Sequence, residues 1–154
     1  MSHKVAIVMG SGSDRQVMEK AGAMLERFGI EHETRVLSVH KTPDQALAFA
    51  ESAAANGFEV IIAGAGKAAH LAGVMAAKSL LPVIGVPISA SLDGMDALLS
   101  TVQMPTGIPV ATVAIDAANN AALLAVAMLA LGDASLTEKL RQYRSELTEK
   151  TLAG

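Results

Sequence analysis

Four short stretches of this chain are apolar almost without interruption: Val5-Ala6-Ile7-Val8-Met9, Val60-Ile61-Ile62-Ala63, Pro82-Val83-Ile84-Gly85-Val86 and Val110-Ala111-Thr112-Val113-Ala114. A strand with one wet face alternates apolar and polar residues. A strand that does not alternate is covered on both faces, as in a parallel sheet between two helical layers. The intervening segments change to helical spacing. After Arg15, residues Val17, Ala21, Met24, Leu25 and Phe28 share one face, and Gly29 is a stop. Thr42-Pro43-Asp44 opens a second helix carrying Ala46, Phe49, Ala50 and Ala53, closed at Asn56-Gly57, and an Ala-rich helix runs to Lys78. Glu31 to Val39 alternates weakly and is assigned as a further strand.

Strands alternating with helices predict an α/β, three-layer sandwich with right-handed crossovers and a parallel sheet in the flavodoxin-like order. At 154 residues the expected organisation is a single domain, 1–154, with 135–154 a C-terminal helix and tail. In that helix Leu136, Leu140, Tyr143 and Leu147 are expected to face inward. Ala117 to Gly132 contains no charged residue. A helix apolar all round is buried all round, and a subunit interface is the expected cover.

Composition removes several function classes. Twelve basic and fifteen acidic residues give a net charge of −3, with no basic block for nucleic acid or anionic lipid. The absence of cysteine excludes a thiolate nucleophile and any cysteine-ligated metal. Four dispersed histidines without clustered carboxylates argue against a metal site; His3 and His32 are expected at the surface. No secretory signal or apolar run of bilayer length is read, so the expectation is a cytoplasmic protein with no membrane partner.

In a doubly wound sheet the ligand lies at the carboxyl ends of the strands. Gly10–Asp14, Ser38–Asp44 and Gly64–His70 all fall there. Gly10-Ser11-Gly12-Ser13-Asp14 joins a strand to a helix N-terminus, where free N–H groups and the hydroxyls of Ser11 and Ser13 suit an anion. The same spacing also serves as a plain helix cap. Asp14 would repel a phosphate and better suits a ribose diol. His40, beside Ser38 and Lys41, can donate and accept a proton near neutral pH, and Lys41 can pair with an anionic substrate. His70 orients substrate or caps a helix.

The same loops carry a family resemblance, through Ala6-Ile7-Val8-Met9-Gly10-Ser11-Gly12-Ser13-Asp14, Ser38-Val39-His40-Lys41-Thr42-Pro43-Asp44 and Ala63-Gly64-Ala65-Gly66-Lys67-Ala68-Ala69-His70-Leu71. Pro82–Pro87, Val102-Gln103-Met104-Pro105 and Pro109–Val113 extend it. Together they resemble the class I N5-carboxyaminoimidazole ribonucleotide mutases of bacterial de novo purine biosynthesis. The resemblance implies a homo-octamer and an isomerisation of a small ribonucleotide that uses no cofactor and no metal. By that likeness His40 is the general acid/base, and Ser11 and Asp14 hold the ribose-phosphate end, with Ser13 beside them. Ser38 and Lys41 complete the substrate site, and Ala65, Gly66, His70 and Leu71 wall the carboxylate pocket.

The chain departs from the family's usual pattern at Val39 and Lys41, where Ala and Arg are common, at Lys67, where a second Gly is common, and at Gly12. A lysine after the histidine resembles the class II enzymes, which carboxylate aminoimidazole ribonucleotide directly. That activity is the near alternative. A flavodoxin-like electron carrier is disfavoured because Phe28, Phe49, Phe58 and Tyr143 lie away from these loops. A phosphoacceptor module is disfavoured because Gly10 and Gly64 stand where it needs acids.

Overall fold

A computed structural model describes residues 2–154. Five strands, β1 (Lys4–Met9), β2 (Glu31–Val36), β3 (Val60–Gly66), β4 (Val83–Ile88) and β5 (Ala111–Thr112), form one sheet in the order β2-β1-β3-β4-β5. Every pairing is parallel, with Val5 against both His32 and Val60, and Ile62 against Ile84. This is the doubly wound α/β sandwich and the strand order read from the sequence.

Six helices cover the sheet: α1 (Arg15–Arg27), α2 (Pro43–Ser52), α3 (Leu71–Lys78), α4 (Met95–Val102), α5 (Ala118–Ala130) and α6 (Ala134–Leu152). Alternation along β1 divides the core in two. Val5, Ile7 and Met9 pack with Met18, Leu25 and the buried face of α5, while Ala6 and Val8 pack with Ala46, Ala50, Leu71 and Met75. β1, β3 and β4 supply apolar residues to both clusters, which is why their sequences do not alternate.

Several expectations are corrected. β2 ends at Val36 instead of Val39, because Leu37 N–H makes the last bond to Met9 O and Ser38 then turns back on Thr42. β5 is only two residues long. The preceding helix, α4, was not anticipated. Leu147 is exposed, since only the first turns of α6 lie on the core. His3 is buried instead of superficial: its Nδ1 lies 2.8 Å from Glu59 Oε2 and its Nε2 3.0 Å from Asp133 Oδ2. His32 is half-buried against Gly22.

The expectation that another subunit covers α5 is corrected for one face of the helix. Ala118, Ala121, Ala122, Ala125 and Val126 are fully buried within the chain itself, between α1, α6 and the sheet. Alanines allow that close approach, so no second subunit is needed to cover this face. On the other side of α5, Leu123, Leu124 and Met128 are only partly buried and Leu131 at its end is exposed; further exposed apolar side chains, Leu92, Met95, Leu99 and Val102, lie on and before α4. Among the described residues no helix is long and apolar enough to cross a membrane.

Candidate active site

The carboxyl ends of β1, β3 and β4 and the loop after β2 enclose a cleft of about 460 Å³. Ser11, Ser13, Asp14, Ser38, His40, Lys41, Ala65, Gly66, His70 and Leu71 all line it, so the structure brings together every site residue read from the sequence. Gly10, Val39, Lys67, Ala68 and Ala90 complete the walls.

The first wall is the turn into α1. Ser11 caps a short 3-10 turn, with its Oγ accepting from Ser13 N–H at 3.3 Å and lying 3.0 Å from Ser13 Oγ. Gly10 N–H donates to Gly64 O at 3.1 Å, tying this turn to β3. Asp14 follows, 8% exposed. Burial pushes its carboxyl above the ordinary carboxylate range; the Ser11 backbone opposes this and the negative charge of Asp116 adds to it. A half-desolvated carboxyl of this kind suits neutral hydroxyls better than an anion.

The second wall is a self-closed loop. Thr42 N–H and Oγ1–H both donate to Ser38 O, Ser38 N–H donates to Thr42 Oγ1 at 2.9 Å, and Lys41 N–H donates to Ser38 Oγ at 3.1 Å. These bonds use the loop's own polar groups, which leaves the His40 and Lys41 side chains projecting from it. His40 Nε2 lies 2.7 Å from His70 Nδ1, with the rings edge to face at 80°. One of these nitrogens carries the proton and the other accepts it. His70 begins α3 by position but makes no side-chain cap bond.

The third wall is built of small residues for steric reasons. A Cβ on Gly64 would collide with Met18 Sδ, and one on Gly66 would stand 3.0 Å from Ala90 Cβ. Lys67 holds a left-handed backbone, φ 53. The loop is braced from α4, where Ser100 Oγ accepts from Ala69 N–H at 3.1 Å and donates to Asp96 O at 2.6 Å. Ser100, Ala90 and Asp116 were not found from sequence. Each acts across a large gap in the chain, and no local motif marks them.

The AIR carboxylase family profile matches residues 4–150. Over 95% of its length the chain is 54% identical to the N5-carboxyaminoimidazole ribonucleotide mutase of Pyrococcus horikoshii, covering 83% of that protein. It is 53% identical to the mutase of Escherichia coli, over 97% of this chain and 90% of the other. It is also 51% identical, over 96% of its length, to the chloroplastic phosphoribosylaminoimidazole carboxylase of Vigna aconitifolia, of which it spans 27%. The crystal structure of Treponema denticola PurE superposes with a TM-score of 0.89 at 32% identity, covering 97% of this chain and 94% of that one. The sheet order, the cleft and these matches agree: the chain belongs to the AIR carboxylase family.

Proposed function

We propose that residues 1–154 act as one catalytic domain that converts N5-carboxyaminoimidazole ribonucleotide to 4-carboxy-5-aminoimidazole ribonucleotide, a step of de novo purine (IMP) biosynthesis. The observation that carries the reading is the placement of His40 in a cleft whose other walls are an anion-suited turn and a loop of small residues. Family membership and the names of the mutases at about half identity support it.

In this reading the ribonucleotide's phosphate lies at Ser11, Ser13 and the N-terminus of α1, with Lys41 adding positive charge. Asp14 takes the ribose hydroxyls. The bond between the exocyclic nitrogen and the carboxylate carbon breaks, releasing CO2, and His40 protonates the nitrogen. C4 of the ring then attacks the retained CO2, and His40 removes the C4 proton, which restores its starting state. His70 holds the His40 ring through their hydrogen bond until substrate arrives. Ala65, Gly66 and Leu71 exclude water around the CO2 without adding a charge that would compete for it. No metal or organic cofactor takes part.

His40→Asn tests this. Turnover of N5-carboxyaminoimidazole ribonucleotide should fall by at least the ~10²–10⁴-fold typical of a positioned acid/base, with fold and ligand binding kept. Activity within a few-fold of the parent would reject the assignment.

A second reading, direct carboxylation of aminoimidazole ribonucleotide, is favoured by Lys41 beside His40 and by the likeness to the plant carboxylase. Assays of each substrate with and without bicarbonate separate the two. We place the enzyme in the cytoplasm as a homo-octamer, with Leu92, Met95, Leu99 and Val102 as the exposed apolar surface that assembly covers.

A further inference from the structure

β5 pairs with β4 only at Ile84 and Gly85, and the next bond along that edge runs from Val113 N–H to Gly85 O. The carboxyl end of β4 and the following Ser89–Ala90 therefore continue past the strand that would cover them. This is the part of β4 that reaches the cleft, since Ala90 is in its wall. Backbone groups left at an open strand edge need partners, and without them the segment frays.

Asp116 supplies those partners. Its N–H donates to Pro87 O at 2.8 Å, and its Oδ1 accepts from Ser89 N–H at 2.9 Å. One residue thus makes two successive ladder bonds, the second through its side chain. It does so from a left-handed backbone, φ 61, which Asp and Asn tolerate better than other residues bearing a Cβ. Ala118 N–H closes the turn onto Asp116 O at 3.0 Å. On the opposite side, Ala90 and Ile88 pack so closely over Gly66 that a Cβ there would lie within 3.1 Å of both. Movement of Ser89–Ala90 would change the width of the cleft directly above Gly66.

We infer that Asp116 is a positioning residue for the cleft: its carboxylate replaces the missing end of β5 and fixes the Ser89–Ala90 wall against Gly66. Asp116 itself is not part of the cleft lining. It acts through Ser89 and Ala90, and the inference rests on the mutase reading for its effect on turnover. A misplacement of about 1 Å at a reacting site costs on the order of 10²-fold in rate.

Asp116→Gly keeps the left-handed backbone and deletes both the acceptor and the charge that acts on Asp14. Asp116→Asn keeps the backbone and the acceptor and deletes only the charge, so it separates the two effects. The glycine variant should lose at least tenfold in kcat, and its Ser89 amide should exchange hydrogen faster while amides of β1 and β3 keep their protection. The asparagine variant should stay within about threefold of the parent in kcat and keep the Ser89 protection. Parent-like kcat in the glycine variant, or an asparagine variant as impaired as the glycine one, overturns the inference. Fast Ser89 exchange in the unmodified protein also overturns it, and that measurement stands even if a variant misfolds. Failure of the mutase reading looks different: the parent itself would not turn over the carboxyamino substrate. The fate of Asp116 would then be decided by Ser89 exchange together with binding of 4-carboxy-5-aminoimidazole ribonucleotide to the parent and the glycine variant.

Discussion

Replacing His3 with Ala should destabilise the protein in a way that depends on pH. His3 precedes β1 and is 9% exposed, yet both ring nitrogens face carboxylates: Glu59 ahead of β3 and Asp133 at the N-cap of α6. Burial disfavours its charge, but hydrogen bonds to Glu59 and Asp133, and their charges, outweigh that and carry the imidazole above its ordinary 6.5. Asp133 is held well below the usual carboxylate range by Ser135 and His3, so it stays ionised throughout the neutral region. Charge-assisted hydrogen bonds contribute about 1.5–3 kcal/mol each; Glu59 is half-open to water and recovers much of its loss, so about 2–3 kcal/mol is expected for the variant. For a chain of this size that is a fall in Tm of about 4–12 °C. The His3 pKa is raised in the folded state, so its contribution is complete below about pH 6.5 and is lost as pH rises through the folded value. Thermal unfolding of parent and variant, followed by circular dichroism at pH 5.5, 7 and 9, reads this directly. The gap in Tm should be largest at pH 5.5 and should narrow toward pH 9. A gap that is absent at pH 5.5, or that widens with pH, would refute the reasoning.

Lys41→Met should raise KM and flatten its salt dependence while sparing kcat; an unchanged KM and salt slope would remove Lys41 from the phosphate end of the site. Lys67→Gly relieves the cost of a left-handed side-chain-bearing residue, about 1–2 kcal/mol, against the glycine's greater freedom when unfolded. Its Tm should therefore hold or rise, and a clear fall in Tm would contradict that accounting. Ala122→Glu buries an unpaired charge in the core under α5 and should abolish soluble folded protein instead of merely splitting an assembly. A folded variant with the parent's Tm would show that α5 is not packed as described. Leu99→Lys, on the exposed side of α4, should lower the particle mass of the proposed octamer seen by light scattering without unfolding the chain, and a mass unchanged from the parent would take α4 out of the proposed interface.

Much of this molecule is legible in the linear chain because a parallel sheet covered on both faces leaves an unmistakable trace. β1, β3 and β4 must bury every side chain, so they read as unbroken apolar runs, and their carboxyl ends must turn sharply, so glycine and serine collect there. The loops after β1 and β3 could be located on that ground alone, including Asp14 and His70; the loop carrying His40 follows the exposed edge strand β2, whose weak alternation put the strand's end three residues too late. The helices α1, α2 and α3 were legible through their spacing, and α1 through its stop at Gly29; α2 ends at Ser52, four residues before the Asn56-Gly57 stop read for it, and turns carry the chain from there to Gly57.

What tertiary structure alone decided concerns partners that are distant in the chain. The burial of His3 depends on β1 lying beside β3 and on α6 beginning next to both, which brings residue 133 to residue 3. The cover over α5 comes from α1 and α6 of the same chain, a packing possible because alanines let helices approach closely. No spacing rule distinguishes that from cover by another subunit. α4 was missed because it is short and leaves much of its apolar surface exposed, so burial does not impose a clear pattern on it. Asp116 and Ser100 acquire roles only once β4 outruns β5 and α4 lies beside the loop after β3. Hydrophobic periodicity records how each segment meets the core, whereas a hydrogen bond across the sheet edge depends on which segments become neighbours, and that is decided only when the whole sheet has closed.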